Sequence, residues 1–224
     1  MNILAIDTSN SNLLVGLKAT TGEYINAPLS TSKHLETLLP EIDKVLDQAS
    51  FTLDNVDIIG VVVGPGSFTG IRIGVATAKA IMFVRPKIKC VAVNSIDLLA
   101  YNILSKSNTI QDVVCVIPST LKKFYVGVYR GKQKVMQDQI MELAELKDFI
   151  QDKNYTVVVP TGTKLDLPFI VEQTIEHKSL FNFIERAKID NNFVDINNLK
   201  PYYLGVSQAE AELLKKETKD GTNI

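Results

Sequence analysis

The chain has 224 residues, 46% of them hydrophobic, and 24 basic side chains nearly cancel 25 acidic ones. That balance excludes a generally basic nucleic-acid binder, though not a local patch. A mean hydropathy of +0.10 without tryptophan argues against disorder, and the length suits one large domain or two small ones sharing a cleft. The longest strongly apolar run, Ile58 to Val63, is far shorter than the roughly 20 residues of a membrane span. The start Met-Asn-Ile-Leu-Ala-Ile-Asp has no basic n-region, so a cytoplasmic protein without a signal peptide is expected. Cys90 and Cys115 both lie in aliphatic runs and read as free buried thiols.

In chain order, Ile3 to Ile6 and Leu13 to Leu17 are short β-prone runs around Asp-Thr-Ser-Asn-Ser-Asn. Asx and hydroxyl side chains favour turns, so this is a hairpin with a carboxylate and hydroxyls at its tip. From His34 to Ala49, Leu35, Leu38, Leu39, Ile42, Val45 and Leu46 fall at helical spacing. Pro40 inside that pattern predicts a kink or a late start. Ile58 to Val63 reads as a strand buried on both faces. It runs into Gly64-Pro65-Gly66-Ser67-Phe68-Thr69-Gly70 and then a helix to about Phe83. Val91 to Val93 is a further strand, followed by a helix over Ser95 to Ser105.

Slid against itself by 111 residues, the opening hairpin returns without a gap. Ala5-Ile6-Asp7-Thr8-Ser9 falls on Val116-Ile117-Pro118-Ser119-Thr120, and Leu13-Leu14-Val15-Gly16-Leu17 falls on Phe124-Tyr125-Val126-Gly127-Val128. A second echo sets Val61-Val62-Val63-Gly64-Pro65-Gly66 against Val157-Val158-Val159-Pro160-Thr161-Gly162, with a shorter helix, Met141 to Gln151, between. Two matches in order point to a duplicated α/β unit. The boundary is placed in the polar stretch Ser105 to Gln111, giving lobes of residues 1–108 and 109–224, with a last helix that can return to the first lobe. Two such units with hydroxyl-rich tips resemble the ribonuclease-H-like lobes of the actin, sugar kinase and heat-shock ATPase superfamily. This is a fold-level likeness that does not fix function.

The glycine run at 64–70 is G-x-G-x-x-x-G and lacks the lysine and hydroxyl of a phosphate loop. A tight turn with Ser67 or Thr69 capping the helix is favoured over an anion site. In that helix Gly70, Gly74 and Ala78 recur every four residues. Glycine inside a helix costs about 1 kcal/mol against alanine, so another backbone is expected to pack closely there. It could be the chain's own sheet or a second protein; with Ile73, Thr77 and Ile81, and Leu35, Leu38 and Ile42 of the earlier helix, the stripe is taken as a candidate interface. Asp7, with Thr8 and Ser9, is the candidate phosphate hairpin, with a turn-stabilising Asx role for Asp7 as the equal alternative, and its repeat position, Pro118, can neither ligate a metal nor take a proton. His34 and His177 lack the partners of a metal site, and His34 reads as a cap or surface residue. Lys122-Lys123 and Lys215-Lys216 read as solvated faces, and Lys219 to Ile224 as a frayed end.

The opening ILAIDTSNSNLLVGL, the helix KHLETLLPEID, the run GVVVGPGSFTGIRIGVATAKAI and the late PYYL together resemble the bacterial TsaB (YeaZ) family. The match is close in the first half and loose in the second. It implies a subunit of the machinery that installs threonylcarbamoyl on the adenosine beside the anticodon. In that family the subunit is a catalytically inactive, dimerising paralogue that pairs with the metal-bearing catalytic subunit TsaD, joined by the ATPase TsaE. Pairing through N-terminal helices maps onto the 34–49 and 69–83 segments. The resemblance implies no cofactor of the chain's own, ATP and metal on the partner subunits, and indirect or weak tRNA contact; a homodimer of the lone chain stays open. Many relatives have Ile-Asp-Ala-Arg where this chain has Ile117-Pro118-Ser119-Thr120, and arginine where it has Gly205. The alternative is a small kinase-like enzyme using ATP and magnesium on a sugar or acid. It would need a second acid that Pro118 does not supply.

Overall fold

The computed structural model describes residues 1–26, 33–107, 110, 112–119, 122–151 and 153–204. Aliphatic runs too short for helices and bounded by Asx, glycine or proline become strands. The first half builds β1 (Ile3–Asp7), β2 (Leu14–Ala19), β3 (Gly22–Asn26), α1 (His34–Gln48), β4 (Ile58–Gly64), α2 (Phe68–Val84), β5 (Lys89–Asn94) and α3 (Ser95–Leu104). The second builds β6 (Asp112–Pro118), β7 (Lys123–Arg130), β8 (Gln133–Glu142), α4 (Leu143–Ile150), β9 (Thr156–Pro160), β10 (Ile170–Gln173) and α5 (His177–Ile189). Helix α1 begins at His34 and includes Pro40, so the late start did not occur. The expected final helix, Lys215-Lys216 and Lys219 to Ile224 lie outside the described residues.

Both halves form a five-stranded sheet of one topology. The orders β3-β2-β1-β4-β5 and β8-β7-β6-β9-β10 are equivalent. In each, three antiparallel strands lead into two parallel ones. These are two ribonuclease-H-like lobes of the actin-like type. Leu4, Ile6, Ile59 and Val61 face α1 and α2. Val114, Val116, Val157 and Val159 face α4 in the second half. The second half has no helix where the first has α2. There Leu165 and Leu167, from the β9–β10 connection, pack on the sheet instead.

The shared faces correct the repeat alignment. Strand period is two, so a shift by one residue exchanges faces. Leu4 and Ile6 match Val114 and Val116 in face, which sets β1 onto β6 at an offset of 110 rather than 111. The 111 offset holds for β2 and β7: Gly16 pairs with Ala5 and Gly127 with Cys115. Asp7 faces Leu14, and Ile117 faces Tyr125, so the second turn is one residue longer. Asp7 is therefore equivalent to Ile117, not Pro118. The pairing of β4 with β1 and of β9 with β6 (Leu4 opposite Ile59, Val114 opposite Val157) sets β4 onto β9 at 98, not 96, which aligns Gly64 with Gly162. Both have positive φ, 109° and 83°.

The two matched strand glycines explain how the halves join. A β-carbon on Gly16 would meet Phe181 of α5 at 2.9 Å, and one on Gly127 would meet Ile96 of α3 at 2.6 Å. Each half thus sends its final helix onto the other half's sheet, and a missing side chain makes the room. Asn102, fully buried on α3, donates to Gln173 Oε1 (3.0 Å) and Thr174 O (3.1 Å) and accepts from Ser179 Oγ (2.6 Å). Nearby, Tyr129 Oη donates to Asp97 Oδ1 at 2.5 Å, and Lys134 Nζ reaches Asp97 at 2.8 Å and Asp138 at 2.6 Å. Asn94 and Tyr202 donate to the other oxygen of Asp138 at 2.9 and 3.1 Å. Burial pushes the Tyr129 hydroxyl far up, with the Asp97 charge adding to it. Burial alone would lower Lys134, yet its bonds to Asp138 and Asp97 outweigh that and raise it. Cys90 and Cys115 are free and buried, as expected.

Candidate hairpin site and partner face

The β1–β2 turn is closed by its own side chains. Asp7 Oδ1 accepts from Ser9 N at 2.8 Å and Ser9 Oγ at 2.6 Å, and Asn10 Oδ1 accepts from Asn12 N at 2.7 Å. Asp7, Thr8 and Ser9 are all buried. Burial raises the Asp7 carboxyl above the usual range, opposed by the Ser9 hydroxyl and amide and by His34. His34 is buried, not a surface residue. Its Nε2 lies 2.7 Å from Asn10 O, and its Nδ1 has no partner among the described residues.

The glycine loop after β4 wraps this turn. Ser67 N donates to Ser9 O at 2.6 Å. Ser67 Oγ caps α2 by accepting from Gly70 N at 3.2 Å, so the tight-turn reading of the loop holds. β-Carbons on Gly66 and Gly70 would fall on the carbonyl oxygens of Ser9 and Thr8, and one on Gly74 on the Thr8 hydroxyl. The glycines admit the chain's own backbone. The Ser9 and Thr8 carbonyls therefore face the glycine loop and the start of α2, inside the chain's own packing.

This geometry corrects the expected interface. Gly70, Gly74 and Ala78 are buried against β1, β4 and the turn, and Leu38, Ile42 and Ile81 are core. Small side chains let α2 sit close to its own sheet. Ile73 and Thr77 are half-buried, and Leu35 is 76% exposed. The outward side of α2 instead carries Arg72, Ala76, Ala80, Phe83 and Val84, and α1 adds Leu39. At its start the Arg72 guanidinium lies 3.7 Å over Phe68, and its Nε donates to Tyr203 Oη at 2.7 Å. The PYYL segment anchors there: Tyr202 N donates to Val63 O at 2.8 Å. Nothing in local sequence pairs residue 72 with residue 203; the contact follows from the chain's return across β4.

The family model described as "TsaD: tRNA N6-adenosine threonylcarbamoyltransferase" matches residues 25–213. The chain is 27% identical, over 97% of its length and the whole of the relative, to the Bacillus subtilis tRNA threonylcarbamoyladenosine biosynthesis protein TsaB. The chain belongs to the tRNA N6-adenosine threonylcarbamoyltransferase family, on its TsaB (YeaZ) branch. Within that family it is also 25% identical to the Clostridium botulinum tRNA N6-adenosine threonylcarbamoyltransferase, across its whole length and 68% of the relative. The fold agrees. YeaZ from Pseudomonas aeruginosa superposes with a TM-score of 0.72 at 19% identity, covering 91% of this chain and 99% of that one. Among the described residues no helix is long and apolar enough to cross a membrane.

Proposed function

We propose that this TsaB-branch protein works in tRNA threonylcarbamoyladenosine synthesis as a non-catalytic subunit that pairs with, and activates, the catalytic TsaD subunit, with the ATPase TsaE joining the pair. The observation that carries the reading is the closed hairpin. Its one acid, Asp7, is buried and bonded to Ser9, and its structural counterpart in the second half is the aliphatic Ile117. A two-domain phosphotransfer site needs charge compensation from both lobes, and the described residues of the second turn include no acid. In this reading metal and ATP chemistry belong to the partner subunits.

The pairing surface in this reading is the outward side of α1 and α2: Leu35, Leu39, Ile73, Ala76, Thr77 and Ala80, rimmed by Arg72 and Phe83. Small exposed residues on α2 let a partner helix approach closely, while the glycine stripe supports them from beneath. A stable pair would bury on the order of 1,600 Å². Size-exclusion chromatography with light scattering of the chain mixed with TsaD tests the pairing. A one-to-one complex is expected. Two separate peaks at micromolar concentrations of each would contradict it.

A further inference from the structure

A cavity of about 440 Å³ opens between α3, α5 and the β7–β8 turn. Its back is small, because Ala100 and Ala187 are buried there. One wall is aromatic: Tyr101 and Phe183 meet edge to face, their centroids 5.6 Å apart. The charges on a second wall are already matched, since Asp97 holds Tyr129 and Lys134 and Lys134 also holds Asp138. On the remaining side no carboxylate among the described residues pairs with Lys132, while Arg186 faces Asp190, which also lines the cavity, across a long ion pair of 3.9 Å. Three cations (Lys132, Lys134, Arg186) against two acids (Asp97, Asp190) leave the lining with ring surface and a positive excess centred on Lys132.

We propose that this cavity is a binding site for a small planar anion, an aromatic ring carrying one phosphate or carboxylate. The ring packs on Tyr101 and Phe183, and the acid is held by Lys132 and Arg186. The volume lies within the roughly 300–1,000 Å³ of small-molecule sites, which pair apolar walls with a few placed polar groups. None of these residues belongs to the closed hairpin or the outward side of α1 and α2, so the site stands independently of the proposed pairing. Because α3 comes from the first half and α5 from the second, an occupant touches both and stabilises their union by an amount that grows with the logarithm of its concentration above the dissociation constant.

The test uses the full chain without partners. It is titrated calorimetrically with AMP and with indole-3-carboxylate, and with adenosine and inorganic phosphate as controls lacking the acid or the ring. At least one ring anion is expected to bind with a dissociation constant below about 1 mM, and the controls at least tenfold more weakly. Which ring anion binds distinguishes phosphate from carboxylate. The double variant Lys132→Glu with Arg186→Glu should lose at least tenfold in affinity. Both side chains are exposed, so its unliganded melting temperature should stay unchanged. Asp7→Asn should bind as the wild type does. The proposal is overturned if neither ring anion binds at 1 mM, if the double charge reversal binds normally, or if binding is lost in Asp7→Asn.

Discussion

Gly74 lies directly beneath Thr8, so that a β-carbon at 74 would fall on the threonine hydroxyl. The hydroxyl is buried and has no hydrogen-bond partner among the described residues. A bulky residue at 74 therefore has to displace the hairpin turn or lift α2 from its sheet. Gly74→Leu should destabilise the lone protein by at least the 1–3 kcal/mol typical of overpacking. A thermal melt should show a fall of roughly 2–4 °C per kcal/mol for a chain of this length. An unchanged melt would mean that α2 does not pack as described.

Asp7 gives a pH signature. Its folded-state carboxyl is raised, chiefly by burial, so the folded protein holds the proton more tightly than the unfolded chain. Stability therefore falls as pH rises from the ordinary carboxylate range through the folded value, and the penalty is fully present above it. Asp7→Asn removes the titration while an amide oxygen can still accept from Ser9. The variant should be at least as stable as wild type at pH 7, with its advantage shrinking as pH falls toward 4. Parallel urea melts at both pH values measure this. A variant less stable at pH 7 and recovering in acid would contradict it.

Lys134 gives a signature of opposite sign. It sits between Asp97 and Asp138, and the Asp138 side chain is 1% exposed. Its raised proton affinity supplies stability that is present below the unfolded lysine value and is lost in alkali as pH passes the folded one. Lys134→Met leaves two carboxylates without their cation and should cost about 3 kcal/mol, the scale of breaking a largely buried pair. Adding Asp138→Asn should recover part of the loss. Additive losses in the double variant, read by denaturant melts, would show that the pair is not coupled.

Ala76 and Ala80 face outward on α2, so a charge there should leave the monomer intact. Ala80→Glu should keep the wild-type melting temperature within a degree or two and weaken pairing with TsaD at least tenfold, as measured by light scattering. Gly74→Leu and Ala80→Glu thus separate fold from pairing on one helix. Normal pairing by Ala80→Glu would remove α2 from the interface.

The lobes and their duplication were legible because aliphatic strands and turn residues recur in order, and the Val-Gly of β2 and β7 marks a real equivalence. The register of β1 against β6 was not legible. An offset of 110 and one of 111 match the same aliphatic residues, and only the face each one buries decides between them. The inward sense of Gly70 and Gly74 was also ambiguous, since small residues every four positions serve an internal sheet as well as a second protein. The cluster of Asp97, Lys134 and Asp138 has no local signature, because Asp97 reaches β8 only through the crossing of α3 onto the second sheet. The burial of His34 has none either: a histidine at a helix start says nothing of a hairpin tip folded over it.

The most direct measurement is threonylcarbamoyl transfer to tRNA in a reconstituted mixture of TsaD, TsaE and this chain, supplied with ATP and an activated threonylcarbamoyl donor, with single protein components omitted in turn. The account predicts negligible transfer by this chain alone, activity when it joins its partners, and full activity when Asp7→Ala replaces the wild type. Transfer by the pure chain, abolished by Asp7→Ala, would contradict it.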